Sequence, residues 1–145
     1  MKSEVKIAGN EVQIKRKFSA SRERVFSWWT KAEKLQQWSG CKEATRCEIQ
    51  MDFRAGGVFT QTMHIRGAGD FTFTGEYDEI LEPERIVYRA KFGPVTTRVT
   101  VEFNEQGSGT EVVITHSGCP DGGFSKNISQ GTSESLDALE LLVGE

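Results

Sequence analysis

The stretch DFTFTGEYDEILEPERIVYRAKF, residues 70–92, decides the fold. On either side of Glu82-Pro83-Glu84 lies a run rich in Phe, Thr, Ile, Val and Tyr, the composition of a pleated and half-buried strand. Proline at the turn suits a break between two strands, because it cannot donate to a ladder. The two runs therefore predict an antiparallel hairpin. The same grammar extends both ways. Gly56-Gly57 separates MDFRA from VFTQTMHIR, and Gly67-Ala68-Gly69 leads into the quoted stretch. Gly93-Pro94 opens VTTRVTVEF, and residues 104–109 lead into TEVVITHS. Connections this short cannot make parallel crossovers, so five successive strands form an antiparallel meander.

Before the meander, NEVQIKRKF alternates Val12, Ile14 and Phe18 with polar neighbours and reads as one more strand, its pattern broken at Arg16. Lys15, Arg16 and Lys17 read as a solvated strand edge. Ser21 offers a helix N-cap, and Val25, Phe26 and Trp29 recur at helical spacing. KAEKLQQW predicts a second short helix, and Gly40 and Cys41 a loop. At the other end Ile128, Thr132, Leu136, Leu139 and Val143 lie three or four apart, which predicts a terminal helix with Glu134, Asp137 and Glu140 outward. The sum is an α+β domain in which the long helix covers the apolar face of the sheet. Residues 1–9 are expected as a tail and 10–145 as one domain.

Composition excludes several functions. The chain has 18 Lys and Arg against 21 Asp and Glu, well mixed, for a formal charge of -3. Nucleic-acid binding needs clustered basic residues, and the run from Lys15 to Lys17 is too short to supply them. Cys41, Cys47 and Cys119 form an odd set without a CxxC pair, so reduced thiols and a cytoplasmic protein are expected, with no disulfide framework and no metal site. MKSEVKIAG lacks the apolar run of a signal peptide, and no segment is long enough for a membrane span. No nucleophile elbow or phosphate loop occurs, and no cofactor is expected.

VFSWWTKAEKLQQWSG, DFRAGGVF, GEYDEILEPERIVY, GTEVVITHSG and the terminal helix together resemble the START-like, helix-grip superfamily (also called SRPBCC). They are most similar to its branch related to the C-terminal domain of the activator of heat-shock protein 90 ATPase. Gly56-Gly57 and the turn from Glu82 to Ile86 carry most of the likeness. The resemblance implies a curved antiparallel sheet wrapped around a long C-terminal helix, two short helices after the first strand, and a hydrophobic cavity between sheet and helix. Relatives often open the terminal helix with Gly-Trp, where this chain has Gly131-Thr132. The exchange removes a ring that would close the cavity. The full activator carries a further N-terminal domain that this sequence does not contain.

Strand phase nominates the cavity wall. Assuming no bulge, one face collects Phe59, Gln61 and Met63, then Phe71, Phe73 and Tyr77. It continues with Ile86, Tyr88, Ala90 and Phe92, then Val99 and Val101, then Val112, Ile114 and His116. Leu136 and Leu139 face this wall from the helix. Trp28 and Trp38 are expected at the rim, where a large ring with one polar N–H suits a boundary with water, and Trp29 in the core. Such residues either line a pocket or fill a core. Gly75 marks a bend or a close approach in its strand, and His64 falls on the outer face. Three functions follow, in this order. The first is non-enzymatic binding of a small hydrophobic or amphipathic ligand, whose polar end Tyr77, Tyr88, Gln61 and His116 would orient. The second is a chaperone-interacting, stress-response module. The third is a polyketide cyclase-like or hydrolase-like enzyme, with His116 the available base and no catalytic residue assigned. A monomer or a homodimer is expected.

Overall fold

The computed structural model describes residues 3–39 and 44–143. Strands β1 (Glu4–Ala8) and β2 (Glu11–Phe18) form a hairpin, followed by helix α1 (Arg22–Phe26), a 3₁₀ turn over Ser27–Trp29 and helix α2 (Ala32–Leu35). Six strands come next: β3 (Ala44–Met51), β4 (Val58–Ile65), β5 (Gly69–Leu81), β6 (Arg85–Phe92), β7 (Val95–Gln106) and β8 (Gly109–Ser117). Helix α3 (Gly122–Val143) ends the description. The strands make one curved antiparallel sheet in the order β1-β2-β8-β7-β6-β5-β4-β3. Every neighbour in it is also a sequence neighbour, except that β8 returns to lie beside β2. That pairing brings the sheet around α3, and the α+β helix-grip architecture follows. Among the described residues no helix is long and apolar enough to cross a membrane.

The fold departs from the sequence reading in three places. Glu4–Ala8, expected as tail, forms an edge strand paired with β2. The sequence predicts no strand between the second short helix and Gly56-Gly57, but β3 lies there, with Cys47, Ile49 and Met51 alternating with Arg46, Glu48 and Gln50, and most of MDFRA beyond it is turn. The loop expected at Gly40 and Cys41 lies outside the described residues. Arg16, read as solvated, is buried at 3% exposure on the same face as Val12, Ile14 and Phe18. Its guanidinium reaches Asp137 and Glu140 on α3. The inward period of β2 is therefore unbroken, and a cation occupies one of its core positions.

Local chemistry explains the joints. Ser21 Oγ accepts the Arg24 amide at 3.2 Å and starts α1, whose Val25 and Phe26 are fully buried. Asp121 Oδ1 accepts the Phe124 amide at 2.8 Å at the start of α3. In the β3–β4 turn, a Cβ on Gly57 would lie 2.0 Å from the Asp52 carbonyl oxygen, so only glycine fits there. The solid part of the core gathers Ile14, Phe26, Phe103, Leu136, Leu139 and Val143, all essentially without exposure.

Candidate functional site

Antiparallel register lays the inward residues of the meander in rows across the sheet. His116 on β8 stands opposite Val99, Val99 opposite Tyr88, and Tyr88 opposite Tyr77. Gln61 stands opposite Phe73, and Met63 opposite Phe71. The bulge that would shift this phase occurs in β5, but only after Tyr77, at Asp78. It therefore spares the wall. Of the two tasks expected of Gly75, a bend or a close approach, the structure shows the second. A Cβ there would sit 2.3 Å from Phe59 Cζ and 2.5 Å from the Arg89 carbonyl, so the missing side chain admits the Phe59 ring across the sheet.

Above these rows is a cavity of about 700 Å³, within the size range of small-molecule sites. The strands supply its floor. The first half of α3 supplies a roof of Phe124, Ile128 and the small or polar Asn127, Gly131, Thr132 and Ser135. Trp29, Leu35 and Trp38 close one side. Trp29 and Trp38 meet edge to face at 4.6 Å between centroids, and Trp38 Nε1 donates to the Trp28 carbonyl at 3.2 Å.

Rings dominate the wall. Phe59 lies 5.2 Å from Tyr77, 5.3 Å from Tyr88 and 6.2 Å from Phe73 between centroids. Phe92 lies 4.8 Å from Phe73 and 5.6 Å from Phe124, joining floor to roof. None of the described lining residues is Asp, Glu, Lys or Arg. Desolvation governs the groups that can titrate. It raises the Tyr77 phenol well above its ordinary value, with the neighbouring Tyr88 adding to the effect, and raises Tyr88 to about 12. Tyr88 is partly buried and lines the cavity. Burial pushes His116 down to about 4. Its Nε2 and Thr97 Oγ1 are 2.7 Å apart. Such a neutral imidazole can hydrogen-bond, but as a general base at neutral pH it is weak. Gln61 Nε2 donates to the Ser39 carbonyl at 2.8 Å and to Cys47 Sγ at 3.1 Å.

Of the strand residues nominated for the wall, from Phe59 on β4 to His116 on β8, all line this cavity except Ile86 and Val112, which are fully buried in the core, and Trp38 lines it too. Trp28, Leu136 and Leu139 do not. Trp28 packs half-exposed beside the core with Lys34 Nζ 5.2 Å from its ring centroid, while Trp29 takes the place at the cavity. The reason is the 3₁₀ turn, whose three residues per turn rotate the pair relative to an α-helix. Leu136 and Leu139 are fully buried one turn past the cavity, where α3 rests on β2. His64 is on the outer phase, as expected, with Nδ1 2.6 Å from Asp70. Sequence reasoning missed Ile49, which lies on the unrecognised β3, and Phe124, although Phe124, Ile128 and Thr132 share helical spacing.

A family model described as "Activator of Hsp90 ATPase homolog 1-like protein" matches residues 19–144. Solved structures match over nearly the whole chain. Protein CV1439 from Chromobacterium violaceum is 26% identical with a TM-score of 0.83, covering 92% of this chain and 96% of its own. A protein from Rhizobium leguminosarum is 28% identical with a TM-score of 0.75, covering 97% of each chain. Protein Mll3558 from Rhizobium loti is 28% identical with a TM-score of 0.76, covering 90% of this chain and 94% of its own. No curated protein sequence matches the chain.

Proposed function

The chain belongs to the Activator of Hsp90 ATPase homolog 1-like family, and from that premise we propose that it holds a small hydrophobic or amphipathic molecule between its sheet and α3. The observation that carries this reading is the cavity of about 700 Å³ with its ring-built walls. Affinity would come from apolar burial, at roughly 25 cal/mol per Å² removed from water, less the cost of immobilising the ligand. Native mass spectrometry of the gently purified protein tests it. Extra mass that disappears on denaturation is expected, and Thr132→Trp, which puts a ring into the roof, should abolish it while leaving the protein folded. A bare chain that also fails to take up an added hydrophobic probe removes the reading.

The family match favours a second reading, in which the domain contacts a chaperone of the heat-shock protein 90 type. Pull-down with that chaperone and an assay of its ATPase test this directly. Absence of association at micromolar concentrations retires it.

A further inference from the structure

We propose that the ligand of this cavity is an uncharged, ring-bearing molecule that presents a hydrogen-bond-accepting oxygen to the paired hydroxyls of Tyr77 and Tyr88. The inference rests on the cavity reading above and narrows it to a chemical class.

Charge is the first ground. Every described lining residue is uncharged. The charges of the wall strands occupy the alternate, outward positions and satisfy one another there, as Arg89 does with Asp78 and Glu76. An ionised ligand group would therefore lose its water inside the cavity and meet no opposite charge, which is strongly unfavourable. The second ground is the row of polar groups in the floor. His116 and Tyr88 flank Val99, and Tyr77 stands next to Tyr88, so three hydrogen-bonding side chains cross an otherwise apolar surface on one line. His116 already has Thr97, and Gln61 already has Ser39 and Cys47.

The tyrosines differ from both. Among the described residues no hydrogen bond engages either hydroxyl. Their ring centroids are 6.1 Å apart on adjacent strands, and Phe59 packs against both, so the pair is held as a unit. Desolvation keeps both phenols protonated, leaving two O–H donors at the cavity wall that are free to serve a ligand's acceptor. The third ground is shape. Edge-to-face contacts such as Phe59–Tyr88 and Phe92–Phe124 present ring faces and edges to the void, which pair with flat rings better than with a flexible chain.

Three probes of nearly equal size separate the terms: pyrene, acetylpyrene, and pyrenecarboxylate at about pH 8, where its carboxyl is ionised. Energy transfer from Trp29 and Trp38, both at the cavity wall, reports uptake. Acetylpyrene should bind about fivefold tighter than pyrene, and the carboxylate should bind weakest, by about tenfold or more. In the double variant Tyr77→Phe, Tyr88→Phe, which removes only the hydroxyls, acetylpyrene and pyrene should converge to within about twofold. Equal binding of pyrene and acetylpyrene by the natural chain overturns the inference and leaves the cavity reading standing, as does tightest binding of the carboxylate. Uptake of none of the three overturns the cavity reading, and this inference with it. If the double variant does not fold, the ranking on the natural chain decides.

Discussion

The two halves of α3 lie against one sheet, yet one half closes a solid core while the other roofs a void. In the second half Leu136, Leu139 and Val143 project large apolar side chains and are fully buried in one cluster with Val12, Ile14 and Phe18. In the first half Phe124 and Ile128 alternate with Asn127, Gly131, Thr132 and Ser135, which are too short or too polar to fill the space below them. The floor under the void is not made of small residues. It carries Phe59, Phe73, Tyr77, Tyr88 and Phe92, bulkier on average than the side chains of β2. The cavity therefore comes from the roof. Close packing stabilises an interior through many weak contacts, and rings bordering a void forgo part of them. Stability is accordingly concentrated at the solid end and binding capacity at the hollow end.

Matched truncations along the helix give the sharpest version of this contrast. Leu139→Ala should destabilise the domain by about 2–5 kcal/mol, because it opens a new hole in a filled core. Ile128→Ala, on the same helix stripe but at the void, should lose roughly 1 kcal/mol or less, since little packing is forfeited. Chemical denaturation of the two variants measures both. Equal losses would mean that the first half is packed as tightly as the second, and the comparison would fail.

A charge cluster also distinguishes the solid end. Arg16 is 3% exposed, whereas its partners Asp137 and Glu140 are 63% and 37% exposed. Burial alone would lower the pKa of the guanidinium, but the hydrogen bonds it donates to Glu140 and Asp137, with their negative charges, outweigh this and hold the value above normal. The asymmetry in exposure predicts an asymmetry in mutation. Asp137→Asn with Glu140→Gln leaves a buried cation without a counter-charge and should destabilise by about 3 kcal/mol. Arg16→Met continues the apolar row of β2 and frees two carboxylates that water already reaches, so it should stay within about 1 kcal/mol of the natural chain. Equilibrium unfolding decides the order, and a larger loss for Arg16→Met would contradict the account.

The same contrast explains what could be read from the chain and what could not. The β5–β6 hairpin was legible because its turn chemistry and its alternation point the same way. Strand β1 was not, because it is only five residues long and the alternation of Val5 and Ile7, each 45% exposed, is too short to stand out from a polar terminus. Strand β3 hid its short alternation among Arg46, Glu48 and Gln50. The floor of the cavity was legible from strand phase. Its hollowness was not, since the same rings would serve equally well in a filled core. What empties it is which residues of α3 lie above which strand, a tertiary register that no local pattern encodes. Arg16 is the converse case: the inward position was predictable from the period, but a cation there is tolerable only because α3 delivers Asp137 and Glu140.

His116 is the hollow end's counterpart to Arg16, a buried polar group that meets its surroundings by staying neutral. Its folded-state value of about 4 lies below the ordinary 6.5, so the unfolded chain takes up a proton first as pH falls. The stability it contributes is complete above pH 6.5, drains through the interval between the two values, and is gone once the pH has fallen through 4. Between about pH 7 and pH 5 this linkage removes about 2 kcal/mol, before most carboxylates begin to titrate. His116→Gln keeps a polar side chain for Thr97 and cannot titrate, so its unfolding free energy should change about 2 kcal/mol less than that of the natural chain over that interval. Identical pH slopes for the two proteins would show that His116 is hydrated or charged in the fold, and would take from the hollow end its dry interior.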